Sequence, residues 1–436
     1  MTAEIVIMNK AAVAMAADSA VTMGSGDGTK IYNTVNKLFA LSRFQPVGIM
    51  IFGNAEFMGL PWETLIKTYR KRLGRSKFDR LQDYSVDFLS FIETAEHLFP
   101  PDLQERFVGG QVQSFFMQIR DEIDDAAKAL IGAKGSITTA EVEALADTHV
   151  RQNAEWVNSF PPISDLPVDY AKNIRSSYRK VISQVKKRVF KDLPMSSSSS
   201  ARLTRTAYSL FTRQVFPDDI SGIVIAGFGE SEVFPSFVCQ SVEGIALNRL
   251  KAREEGGAAI DHQNGASMRA FAQGEMVHTF MEGIDPMLRL RVVDLISTTL
   301  GKYHETLANE VAPLATLPTS QRNQAVEQMT TIGDALMNEL AEEMQMMSHR
   351  EFVHPVIDAV AALPLDELAT MAETLVNLTS FKRRVSLSLE TVGGPIDVAV
   401  ISKGDGFVWI ERKHYFRPEL NPQFFATHYG NEDDDD

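Results

Sequence analysis

Three short strand-forming runs crowd into the first forty-one positions, and each carries a chemically active side chain at one end. Ala3 to Asn9 follows Thr2, Ala11 to Ala17 runs into Asp18-Ser19, and Asn36-Lys37 opens Leu38-Phe39-Ala40-Leu41. Brief apolar runs bounded by polar residues read as buried strands. Strands that pair side by side bring such ends together, so Thr2, Asp18 and Lys37 form a candidate catalytic set.

The three residue types belong together chemically. A threonine hydroxyl is a weak nucleophile and needs an adjacent base, a role its own α-amine fills when threonine leads the chain, with a reference pKa of about 7.7–8.0. Met1 must then be removed, which the small side chain of Thr2 permits without a cleaved propeptide. A neighbouring lysine disfavours the charged amine, and a carboxylate holds that lysine charged and oriented. Lys37 and Asp18 fit those roles.

With these residues in place, the chain resembles the proteasome β-type threonine peptidases, the group that includes the bacterial HslV peptidase. The resemblance rests on Thr2, on Val13 to Ser19 followed by Thr22, on Lys30-Ile31-Tyr32 through Lys37, and on Gly48 to Ala55. It implies that Thr2 is the nucleophile, that Asp18 and Lys37 support it, and that a backbone N–H at Gly53 binds the oxyanion. Ser19 and Thr22 are expected to support or line the cleft. Near the end of the chain, Val392-Gly393-Gly394 leads into Pro395 to Ile401, then Lys403-Gly404-Asp405-Gly406 and Phe407 to Ile410. That pattern reads as two strands around a tight turn and is similar to the family's final hairpin. The chain departs from the family where a supporting aspartate and serine precede the paired glycines; Glu390 and Thr391 are the substitutes at hand. Ala272-Gln273-Gly274 stands where the family carries Gly-Ser-Gly, which makes Gln273 a supporting candidate.

The expected fold is α+β, a four-layer αββα sandwich of the N-terminal nucleophile hydrolase type with helical insertions. Segments 1–61, 217–284 and 385–416 would form the core, segments 62–216 and 285–384 the insertions, and 417–436 an acidic tail. Leu81, Tyr84, Phe88 and Ile92 recur at helical spacing in the first insertion. The basic stretch Arg175 to Lys191 reads as helix, and Ser196 to Ser200 as an exposed linker. In the second insertion Pro364, Asp366 and Glu367 announce a last helix with an apolar stripe of Leu368, Met371, Leu375 and Leu378. Strands are expected over Ile223 to Phe228, Ser236 to Ser241 and Gly244 to Leu247.

Composition sets limits. The net charge of −14, with 43 basic against 57 acidic side chains, argues against non-specific nucleic-acid binding. The single cysteine, Cys239, reads as buried and structural, which fits a reducing cytoplasm. No apolar run reaches the roughly 20 residues of a membrane span, and no signal peptide is evident. Gly24-Ser25-Gly26-Asp27-Gly28 lacks the Gly-Lys-Ser/Thr of a phosphate loop and reads as a strand connection. His349 and His354 have no zinc-like ligand spacing, so neither a metal nor another cofactor is expected. Met344 to Met347 reads as helix packing, with a binding surface as the alternative, and Arg383-Arg384 as a basic helix end.

The expected activity is therefore hydrolysis of peptide bonds. Two alternatives stay open: an amidase using the same centre on a small molecule, and an inactive proteasome-like scaffold. Peptide or protein substrate, homo-oligomer and ATP-dependent unfoldase are the partners that the resemblance implies.

Overall fold

Alternate side chains of the first strand, Ala3, Ile5 and Ile7, enter one apolar core, and that choice of face organises everything around the site. The computed structural model describes residues 2–23, 30–32, 34–217, 220–386, 392–414, 416–423 and 426. Its strands are β1 (Ala3–Asn9), β2 (Ala12–Ala17), β3 (Val21–Met23), β4 (Lys30–Tyr32), β5 (Leu38–Ala40), β6 (Val47–Gly53), β7 (Glu56–Phe57), β8 (Leu60–Pro61), β9 (Ser221–Gly227), β10 (Ser236–Ala246), β11 (Arg249–Ala259), β12 (Ala266–Ala272), β13 (Asp397–Ser402) and β14 (Gly406–Glu411). Its helices are α1 (Trp62–Leu73), α2 (Leu81–Thr94), α3 (Pro101–Lys134), α4 (Thr139–Ser159), α5 (Tyr170–Ser177), α6 (Arg179–Val189), α7 (Ser197–Ser209), α8 (Glu275–Glu282), α9 (Pro286–Glu310), α10 (Ala312–Ala315), α11 (Thr319–Ser348), α12 (His354–Ala362) and α13 (Leu365–Val385). The protein is of the α+β class. It divides into two units, one of Met1–Phe52, Ala226–Ser236 and Ala258–Asp436, the other of Gly53–Ile225 and Phe237–Gly257.

In the first unit a five-stranded sheet has the order β12-β1-β2-β13-β14. Its ladders are antiparallel, with Glu4 opposite both Ala17 and Phe271, and Asp397 opposite Ala17. One face of the sheet buries Ala3, Ile5, Ala14, Ala16, Val398 and Val400 against helical residues that include Leu368, Ala372 and Leu375 of α13 and Val360 of α12. The small alanines of β2 let α13 approach closely. On the opposite face lies the antiparallel pair β5–β6, in which Ala40 faces Gly48. A Cβ built at Gly48 would stand 2.8 Å from Ile401 Cδ1 and 3.1 Å from Met15 Sδ, so β6 rests directly on β13 and β2. Helix, sheet and a second strand layer thus stack in that order.

The second unit holds β11, β10 and β9 side by side and the helices α1 to α7. Leu81, Tyr84, Phe88 and Ile92 form the buried face of α2, as their spacing requires. Val112, Phe116 and Ile119 of α3 meet Val150 of α4, Ile182 of α6 and Leu203 of α7 in one core. The basic stretch is two helices, α5 and α6, that meet at Tyr178.

Four expectations are corrected. Ser196 to Ser200 is no linker: Ser196 caps α7 by accepting from the Ser199 N–H, and the other serines form the first turn. Serine is favourable at a helix start for this reason. Gly244 to Leu247 is not a separate strand, because β10 runs unbroken through Ala246. The hairpin turn falls on Leu247 and Asn248, both at positive φ, and leads into β11. In α13 the buried stripe is Leu368, Ala372, Leu375, Val376 and Thr379, while Leu378 is exposed. Met346 and Met347 of α11 are likewise exposed instead of packed.

Candidate active site

Thr2 sits at the start of β1, Asp18 directly after β2 and Lys37 directly before β5, so three strand ends converge as their sequence positions imply. All three side chains are buried. Asp18 is the hub. Its Oδ1 accepts from the Ala3 N–H at 3.1 Å and from Lys37 Nζ, while its Oδ2 accepts from Ala20 N–H at 3.3 Å and Gly393 N–H at 2.9 Å. Three backbone N–H groups and the Lys37 ammonium thus converge on this one carboxyl and fix its position. The backbone closes the same knot, because Asp18 N–H donates to Ala3 O and Ile51 N–H donates to Lys37 O.

Thr2 is held on its other side by β12. The Gln273 N–H donates to Thr2 O at 3.0 Å, which places residue 273 beside the proposed nucleophile. The Gln273 side chain turns elsewhere and accepts from Arg383, which also binds Glu275 at 2.7 Å. The basic end of α13 is thus a bracket for the turn after β12. Thr2 Oγ1 is buried and makes no well-aligned hydrogen bond among the described residues. It lies close enough to the Glu4 carboxyl to favour that group's charged form.

Ser19 is a tie rather than a free hydroxyl: its Oγ donates to Pro395 O, its N–H to Gly393 O at 3.1 Å, and its carbonyl accepts from Val35 N–H. Thr22 lies in β3 opposite Ile31 of β4, and its side chain is outside the described set. Glu390 and Thr391, Gly24 to Gly28 and the run Glu432 to Asp436 also lie outside the described residues. Gly53 ends β6 at φ +79°, a left-handed conformation that favours glycine. A Cβ there would meet the Ile220 carbonyl oxygen at 2.2 Å, so no larger residue fits this backbone.

The structure adds three charged residues that strand-end reading does not select. Glu4, one position into β1, has a fully buried side chain whose Oε1 is 3.5 Å from Lys37 Nζ. Burial pushes its carboxyl up to about 8, with Lys37 pulling it down and Asp18 pushing it further up. Asp397, at the start of β13, pairs with Lys413, whose amide also donates to Asp397 Oδ1 at 2.9 Å. Burial lowers the Lys413 ammonium pKa against the pull of Asp397, and Lys37 adds to the lowering. A lone glutamate within an apolar strand was the available signal for Glu4. Asp397 and Lys413 carry no comparable mark.

The arrangement gathers a buried hydroxyl and a buried Lys37–Asp18 ion pair at converging strand ends. A search of protein-family models and of curated proteins finds no match to this sequence.

Proposed function

We propose that this chain is a threonine-type amide hydrolase acting on peptide bonds, with Thr2 as its nucleophile. The observation that carries this reading is the convergence of a buried, poorly bonded Thr2 Oγ1 with a Lys37 held by Asp18. Such a lysine disfavours a charged amine on Thr2 and leaves that amine free to accept the hydroxyl proton.

In this mechanism Thr2 Oγ attacks the carbonyl carbon and its proton passes to the Thr2 amine. The amine returns the proton to the departing amine as the C–N bond breaks, and water then clears the ester by the reverse sequence. The resemblance to proteasome β-type peptidases assigns the oxyanion donor to the backbone N–H at Gly53. It also implies the four-layer αββα sandwich, a reading supported by the helix, sheet and strand layers of the first unit. Self-association and an ATP-dependent unfoldase are partners the resemblance brings with it.

Intact mass of the purified protein before and after incubation with a peptide epoxyketone tests this function. A chain beginning at Thr2 that gains one inhibitor mass, mapped to Thr2, supports it. A retained Met1, or no adduct on a chain that begins at Thr2, refutes it. Peptide and small-molecule amide panels then separate peptidase from amidase.

A further inference from the structure

Glu4 occupies the centre without a place in the mechanism just described. Ala3, Ile5 and Ile7 face the helical core, so Glu4 points to the opposite face of the sheet with Val6 and Met8. Register puts it in a row with Phe271 on one side and Ala17 and Asp397 on the other. Phe271 lies 5.5 Å from Phe52, ring centre to ring centre, and carries the Arg269 guanidinium over its ring, so that flank is aromatic. Ala17 is too small to fill the other flank, where Lys37 meets the carboxyls.

The balance of charge is uneven. Asp18 receives three backbone N–H groups in addition to Lys37, whereas neither Glu4 oxygen makes a well-aligned hydrogen bond among the described residues. Asp397 has its own cation in Lys413. One ammonium therefore serves two buried carboxyls, and a buried charge without a full partner is costly. Asp18 is the fully bonded carboxyl of the pair. Glu4 is the member that stays neutral until the solution becomes alkaline, a conclusion consistent with the rise of its titration to about 8.

We propose that Glu4 is a positioning residue of the Thr2 centre, neutral in the working state, whose ionisation draws Lys37 away from the Thr2 amine and sets the alkaline limit of activity. This inference rests on the Thr2 reading above. Thr2, Asp18 and Lys37 face Glu4 directly; Arg269, Asp397 and Lys413 lie on the neighbouring strands and the segment after β14, which also carry Glu411 and Arg412. An ionised Glu4 competes with Asp18 for Lys37 and adds negative charge where the attacking oxygen must itself become negative. Both effects oppose attack.

The test is the pH dependence of epoxyketone adduct formation at Thr2, read by intact mass, for the wild type, Glu4→Gln and Glu4→Asp. The wild-type rate should fall on the alkaline side near about pH 8, and Glu4→Gln should carry that limb upward by about one unit or more, since an amide cannot ionise. Glu4→Asp should restore a limb. Infrared difference spectra of the wild-type protein should show a buried protonated carboxyl that is lost through the same interval, a readout independent of how well the variants fold. An unchanged alkaline limb in folded Glu4→Gln overturns the proposal and leaves Thr2 standing, as does a wild-type spectrum without such a carboxyl. Wild-type protein that begins at Thr2 and forms no adduct at any pH overturns both readings.

Discussion

The Gly393 N–H donates to Asp18 Oδ2 at 2.9 Å, joining residues 375 positions apart. Through that bond the segment before β13 helps hold the carboxylate that in turn holds Lys37. Replacing Asp18 with Asn removes the negative charge while keeping one acceptor oxygen. Epoxyketone labelling of Asp18→Asn should slow by at least about 100-fold, the usual scale for a group that supports proton transfer. A rate within a few-fold of the wild type would confine Asp18 to a structural role.

Thr2 carries the covalent chemistry in this reading. Thr2→Ala should abolish hydrolysis and leave circular dichroism and melting temperature close to the wild type. Thr2→Ser, which keeps hydroxyl and amine, should retain measurable turnover. Turnover by Thr2→Ala equal to that of the wild type would exclude Thr2 as nucleophile.

Glu4 links stability to pH. Its carboxyl titrates near 8 in the folded chain against 4.5 for the ordinary group, so the folded state holds the proton more tightly. The resulting stabilisation is complete below about pH 4.5 and is lost as pH rises through about 8. Glu4→Gln escapes that loss. Its melting temperature should therefore rise relative to the wild type across this window, and parallel melting curves at about pH 5 and about pH 8 would contradict the assignment.

Gly53 adopts φ +79° with the Ile220 carbonyl where a side chain would go. Gly53→Ala should cost at least about 2 kcal/mol in chemical denaturation, from left-handed strain and a backbone clash together. A loss below about 0.5 kcal/mol would show that the backbone relaxes freely there.

Ser221 links two groups in the second unit, accepting from the buried Trp62 Nε1 at 2.9 Å and donating to Asn54 O at 3.1 Å. Ser221→Ala leaves the indole N–H without this acceptor and should destabilise the protein by about 1–3 kcal/mol. Equal denaturation midpoints for variant and wild type would show that another acceptor takes its place.

Local sequence determined the elements that bear the site. Apolar runs ending at Asp18 and beginning after Lys37 specify strands β2 and β5, because short buried strands need little beyond hydrophobicity and polar ends. Helical spacing likewise marked Leu81, Tyr84, Phe88 and Ile92 as one buried face of α2. Local reading failed where two uses of a residue compete: the serines before Ala201 suit a loop and a helix start equally, and only packing of α7 on α4 selects the helix. It failed again at Leu247 and Asn248, whose left-handed turn carries no glycine to announce it.

Tertiary structure alone decided the charge balance around Thr2. A lone glutamate in an apolar strand marks position 4, but only strand pairing sets it opposite Ala17 and Phe271 and brings Lys37 to 3.5 Å. Ionisation depends on the sum of burial and neighbouring charge, which for Glu4 comes from positions 18 and 37 and for Lys413 from positions 397, 37 and 18. The sequence names each residue type and its strand, but how many carboxyls share one buried ammonium is a property of register and packing.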